Sequence, residues 1–75
     1  MHDICTYTIQ LRGQVSESEI NALGPLPMTV EKAAAQATWF TIHTDQSGLI
    51  GLMRHLHGLG LVFLSVDRLD PHLSE

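Results

Sequence analysis

Residues 38–66 read TWFTIHTDQSGLIGLMRHLHGLGLVFLSV, and this stretch decides the fold. It opens as a strand over 38–44, with Phe40 and Ile42 pointing one way and Trp39, Thr41 and His43 the other. That is the period-two pattern of a sheet whose two faces meet different surroundings. Asp45-Gln46-Ser47-Gly48 breaks the alternation, and the spacing that follows predicts a helix over 47–59. Leu49, Leu52, Met53, Leu56 and Leu59 make an i, i+3, i+4, i+7 stripe, with Arg54 pointing away. Gly58 and Gly60 offer C-terminal caps. Alternation returns over 61–68, with Val62, Leu64 and Val66 on one face and Leu61, Phe63, Ser65 and Asp67 on the other.

The first half repeats this plan. Cys5, Tyr7, Ile9 and Leu11 alternate with Thr6, Thr8, Gln10 and Arg12, and Gly13 ends the strand. Ser16 followed by Glu19 is a capping box, in which each residue's side chain answers the other's backbone N–H. Ile20 and Leu23 then share a helical face, and Gly24, Pro25 and Pro27 stop the helix. Residues 28–32 form a second strand with Met28 and Val30 on its apolar face; 33–36 suit either a loose hairpin connection or a helical turn, and their place between two strands favours the hairpin. The order is β-α-β-β-α-β. It predicts an α+β, ferredoxin-like sandwich, an antiparallel sheet with two helices on one face. The whole chain, 1–75, is one domain, with an ordered core from about 4 to 69 and a mobile tail over 70–75.

Composition narrows the function. A chain of 75 residues has room for only a thin core, and self-association is a common remedy. Hydrophobic residues at 44% exclude a disordered chain. The net charge is -4, and the basic residues Arg12, Lys32, Arg54 and Arg68 are scattered, so nothing follows a phosphate backbone and nucleic acid is excluded as a partner. Cys5 is alone, cannot form an intrachain disulfide, and reads as a small buried hydrophobe. The N-terminal residues lack a basic-then-apolar pattern, and no apolar run is long enough to span a bilayer, so the expected setting is cytoplasmic with no membrane partner.

The run from Thr44-Asp45-Gln46-Ser47-Gly48-Leu49-Ile50-Gly51-Leu52 through Leu59-Gly60-Leu61 to Leu64-Ser65-Val66 resembles two groups of proteins. One is the small, uncharacterised, stand-alone ferredoxin-like proteins of bacteria. The other is the β-α-β unit of ACT regulatory domains, matched over 39–66. The ACT resemblance implies an amino-acid effector beside Asp45, Ser47, Gly48 and Leu49, with Gly48 letting it approach the backbone at a subunit interface. ACT domains carry this unit first, whereas here it comes last.

The residues themselves suggest few chemical sites. Asp45 to Gly48 open a helix, whose free N–H groups suit an anion, but a cap alone explains these residue types. His55 and His57 are two residues apart and diverge by about 200° around the helix, so one helix cannot chelate with both. A metal site would need His43, His2, His72 or a second subunit; no metal site and no cofactor are expected. The open sheet face is the most informative feature. By parity it carries Trp39, Thr41, His43, Phe63, Ser65 and Asp67 beside Thr6, Thr8, Gln10 and Arg12. A purely solvated face has no use for two aromatics. Three readings compete for it. The first is an interface between copies through Trp39, Thr41, His43, Phe63 and Ser65. The second is a pocket of a small dimeric α+β barrel enzyme using His43 and Asp67, with Tyr7 on the opposite face. The third is RNA stacking, set aside because the chain is acidic. The expectation is a non-enzymatic assembly module, homo-oligomeric or docked on another protein, with ACT-like effector binding as the alternative.

Overall fold

In the computed structural model, which describes residues 4–24 and 26–69, the strand β1 (Cys5–Arg12) lies near the middle of everything else. The other elements follow in the expected order: α1 (Glu17–Leu23), β2 (Thr29–Ala33), β3 (Ala37–Thr44), α2 (Gln46–Gly58) and β4 (Phe63–Arg68). The four strands form one sheet in the order β2-β3-β1-β4, and every neighbouring pair is antiparallel. The protein is thus a small α+β domain with a four-stranded antiparallel sheet and two helices. The expected tail over 70–75 lies outside the described residues, as do His2 and His72.

The two-fold alternation of β1 is realised: Cys5, Tyr7, Ile9 and Leu11 are buried, while Thr6, Thr8 and Gln10 are only partly covered and Arg12 is exposed. Cross-strand register puts Phe40 and Ile42 of β3 on the buried side as well. Ile20 from α1 and Leu49, Leu52 and Leu56 from α2 join the same cluster, so both helices cover this one face. Leu59, expected to complete the helical stripe, is instead exposed. It caps α2 rather than lying in it, and the chain turns there. Gly60 has φ +94°, and the N–H groups of Gly60 and Leu61 donate to the carbonyls of His57 and Leu56. That is a Schellman ending, which needs a residue tolerant of left-handed backbone.

Side chains pin the connections. Thr38, buried at 1% exposure, donates its hydroxyl to the Gly13 carbonyl at 2.8 Å and accepts from the Val15 N–H at 2.9 Å. One hydroxyl thereby satisfies two backbone groups of the β1–α1 link and ties that link to β3. The expected capping box is present at α1, with Ser16 and Glu19 bonded both ways. Asn21 holds the far end of the link to β2, exchanging both its amide groups with the N–H and carbonyl of Met28. His55 on α2 donates from Nε2 to the carbonyl of Leu23, clasping the end of α1.

Both edge strands depart from simple alternation. The β2–β3 register shifts between Val30 and Lys32, and the β1–β4 register shifts opposite Gln10 and Leu11. These are β-bulges, in which an extra residue on one strand has no partner. The second one overturns the placement of Phe63. Phe63 lies opposite Leu11 and packs against the core, while Ser65 lies opposite Gln10 on the open face. Leu64 is the extra residue, so Phe63 and Ser65 face opposite ways although they are two apart.

Thr38→Val keeps the shape but removes the hydroxyl bridge, and should cost about 1–3 kcal/mol in urea unfolding, since two backbone groups lose their partner. An unchanged midpoint would show that water replaces the bridge. The Glu19 carboxyl is held below its ordinary range, first by the Ser16 backbone N–H and second by the Ser16 hydroxyl. Its contribution is therefore complete above the usual glutamate range and fades as pH falls through the lowered value. A carboxyl NMR titration should place Glu19 below a free glutamate, and Ser16→Ala should undo only the smaller part of that shift.

Candidate functional site

Among the described residues, no layer covers the face away from the helices. Register arranges it in rows. Lys32, Trp39, Gln10 and Ser65 lie side by side, then Thr29, Thr41, Thr8 and Asp67, then His43 and Thr6. Neighbours within the face are bonded. The Ser65 hydroxyl donates to Gln10 Oε1 at 3.1 Å, the Thr41 hydroxyl donates to Glu31 Oε2 at 3.0 Å, and Thr6 Oγ1 lies 3.0 Å from His43 Nδ1. The Lys32 ammonium sits 5.0 Å from the centre of the Trp39 ring, within cation–π range.

Of the five expected interface residues, Trp39, Thr41, His43 and Ser65 share this face, and Phe63 does not. Trp39 and Thr41 are half-buried and His43 is exposed. The bulges supply what alternation misses. Glu31 and Lys32, consecutive in sequence, both lie on the open face, as their contacts with Thr41 and Trp39 require. Leu64, 45% exposed, helps line a shallow depression of about 510 Å³ with Arg12, Gly13, Ala35 and Gln36 at the end of the face. A signal for the first bulge was available: after Val30, the run Glu31-Lys32 sets two charged residues in succession where alternation calls for one.

The arrangement does not bring His43 and Asp67 together. His43 and Asp67 stand on the strands flanking β1, two strand spacings across and two residues along from each other, or about 12 Å apart, beyond hydrogen-bond reach. Tyr7 is buried on the opposite face. Among the described residues no three of His, Cys, Asp and Glu gather closely enough to hold a metal ion. His55 faces α1 and His57 is exposed to solvent.

The turn before α2 has a complete local explanation. Asp45 is the N-cap, accepting from the Gly48 N–H at 2.8 Å and from the Ser47 hydroxyl at 3.2 Å. Leu49 is a core residue. A Cβ on Gly48 would stand 2.0 Å from Thr44 Oγ1 and 3.2 Å from Asp45 Oδ1. The room that glycine leaves is therefore filled by the chain's own Thr44 and Asp45, and the donor an anion would use already serves Asp45.

An all-antiparallel sheet with one helical layer and, among the described residues, one uncovered, hydroxyl-rich face defines a small α+β domain. The chain belongs to a family described as a domain of unknown function (DUF8691), whose model matches residues 6–67 and so takes in all six elements. Neither an ACT family nor a ferredoxin-like family matches. No curated protein and no solved structure matches the chain.

Gly48→Ala should destabilise the protein by about 1–3 kcal/mol, because the new methyl displaces Thr44 Oγ1. Adding Thr44→Ala should return part of that loss in thermal unfolding. If Gly48→Ala alone is as stable as the parent, the close approach is absent in solution and the space beside Gly48 is free for a ligand.

Proposed function

We propose that this chain is a ferredoxin-like domain acting as a non-enzymatic interaction module, and that it self-associates by stacking its open sheet face on that of a second copy. The element order and the strand order β2-β3-β1-β4 support the fold assignment. The observation that carries the function is Trp39, half-buried on an inner strand of a sheet face that no described residue covers. Sheets in small domains are normally packed on a helix layer or another sheet, and tryptophan is enriched at the centre of contact surfaces.

Stacking by the face is favoured over pairing by the edges. The outer edge of β2 is bulged, and its Val30 N–H is already occupied by the Glu17 carboxylate at 3.2 Å. The outer strand β4 is bulged too. Bulges and charges at edges block strand addition. Size sets the strength. Four strands at about 4.8 Å and some seven residues at about 3.4 Å give a face of roughly 450 Å² in projection. That lies at the small end for protein contacts, so the association is weak and concentration-dependent.

Light scattering across a dilution series, with Trp39 emission followed in parallel, tests this. The expected result is a dimer at high concentration that dissociates on dilution, with Trp39 emission moving to the red as it becomes wet. A monomer throughout, or a dimer whose Trp39 emission ignores dissociation, rejects the face as the contact.

A further inference from the structure

We infer that the two copies meet about a two-fold axis running across the strands, so that Glu31 of each copy faces Lys32 of the other. The inference rests on the proposed stacking and specifies its geometry. Strict alternation would send Glu31 and Lys32 to opposite faces of β2, but the bulge after Val30 brings both to the open one. The face therefore presents an anion and a cation side by side along its edge.

Such a pair complements itself. Two identical faces related by a two-fold meet reciprocally, so that if Glu31 contacts Lys32 of the other copy, Lys32 contacts the other copy's Glu31 in return. An axis that crosses the strands between Glu31 and Lys32 keeps β2 over β2 and reverses the strand direction. Each carboxylate then lies opposite an ammonium, twice over. An axis along the strands puts β2 over β4 instead, and brings Glu31 toward Asp67, like against like. Stacked sheets lie about 10 Å apart, a gap that one glutamate and one lysine side chain can bridge.

Both charges are also held in place before contact. Thr41 holds the Glu31 carboxylate across the face, and the Trp39 ring holds the Lys32 ammonium. Fixing a charged side chain in advance reduces the entropy lost on association. Trp39, beside Lys32 in the next strand, is carried toward the axis and covered there. The copies repel at long range because each carries a net charge of -4. At physiological salt that repulsion is screened beyond about 8 Å, whereas the contact pairs are not. Unlike pairing at the axis thus selects one register.

The test is charge reversal in the full chain, followed by light scattering and Trp39 emission. Glu31→Lys and Lys32→Glu should each weaken the dimer about tenfold or more, since two attractive pairs become two repulsive ones. An equimolar mixture of the two variants should regain association, and so should the double variant Glu31→Lys with Lys32→Glu. The mixture controls for loss of the lysine–tryptophan contact, because only complementary faces restore it. If both single variants dimerise like the parent, with Trp39 still protected, the two-fold pairing is wrong and the face contact stands. If the parent itself stays monomeric, or Trp39 stays wet in its dimer, the stacking and this pairing fall together.

Discussion

The unbroken antiparallel register between β1 and β3, from Cys5 opposite Thr44 to Arg12 opposite Ala37, is the constraint on which the rest depends. Eight consecutive partners fix the parity of both central strands at once. A slip of one residue would move Ile9, Leu11, Phe40 and Ile42 from the helix side to solvent. All four are fully buried, and burying one large apolar side chain is worth about 1.5–3 kcal/mol. That penalty exceeds anything the polar face could return. The apolar demand of one face therefore decides the membership of the other.

The buried face needs its helices, and a core this small leaves little margin for a loose layer. Polar links supply the positioning. Thr38 ties the start of the α1 segment to β3, Asn21 ties α1 to the strand that follows it, and His55 ties α2 to the end of α1. Each places a side-chain group on backbone atoms of the segments around α1, where the chain leaves one element for the next. α1 itself contributes a single fully buried residue, Ile20. Its place is accordingly set as much by hydrogen bonds at its ends as by apolar contact along its length.

The legible parts of the sequence were those governed by period. β1 and β3 were readable to within a residue, as was α1, because capping and alternation are local and agree with the tertiary demand. The stretch 33–36 was only half legible, because Ala33-Ala34-Ala35-Gln36 suits a hairpin or a helical turn; its place between two strands favoured the hairpin, which the Ala34-to-Ala37 bond closes. The faces of β2 read correctly at Met28 and Val30, but β4 was misread for one reason. A bulge shifts parity by one residue, and nothing in Leu61-Val62-Phe63-Leu64, a continuous apolar run, marks where the shift falls. Phe63 consequently counts for the core, and the open face has one aromatic rather than two. Gly48 was legible as special, but its cause was not. The close approach of Thr44 Oγ1 depends on how strand and helix meet, which spacing alone does not encode.

Losing Phe63 from the open face changes what that face can do. With Trp39 as its one aromatic, hydrophobic area alone gives a weak contact of little specificity. The remaining side chains are threonines, a serine, a glutamine and a few charges, already bonded to each other across the strands. Such a surface is wettable. In the proposed dimer, direction has to come from charge. The bulge in β2 supplies it by setting Glu31 beside Lys32, and the same bulge roughens the edge against strand addition. Under the proposed stacking, one irregularity thus hinders strand addition at the edge and supplies the charge pair for the face.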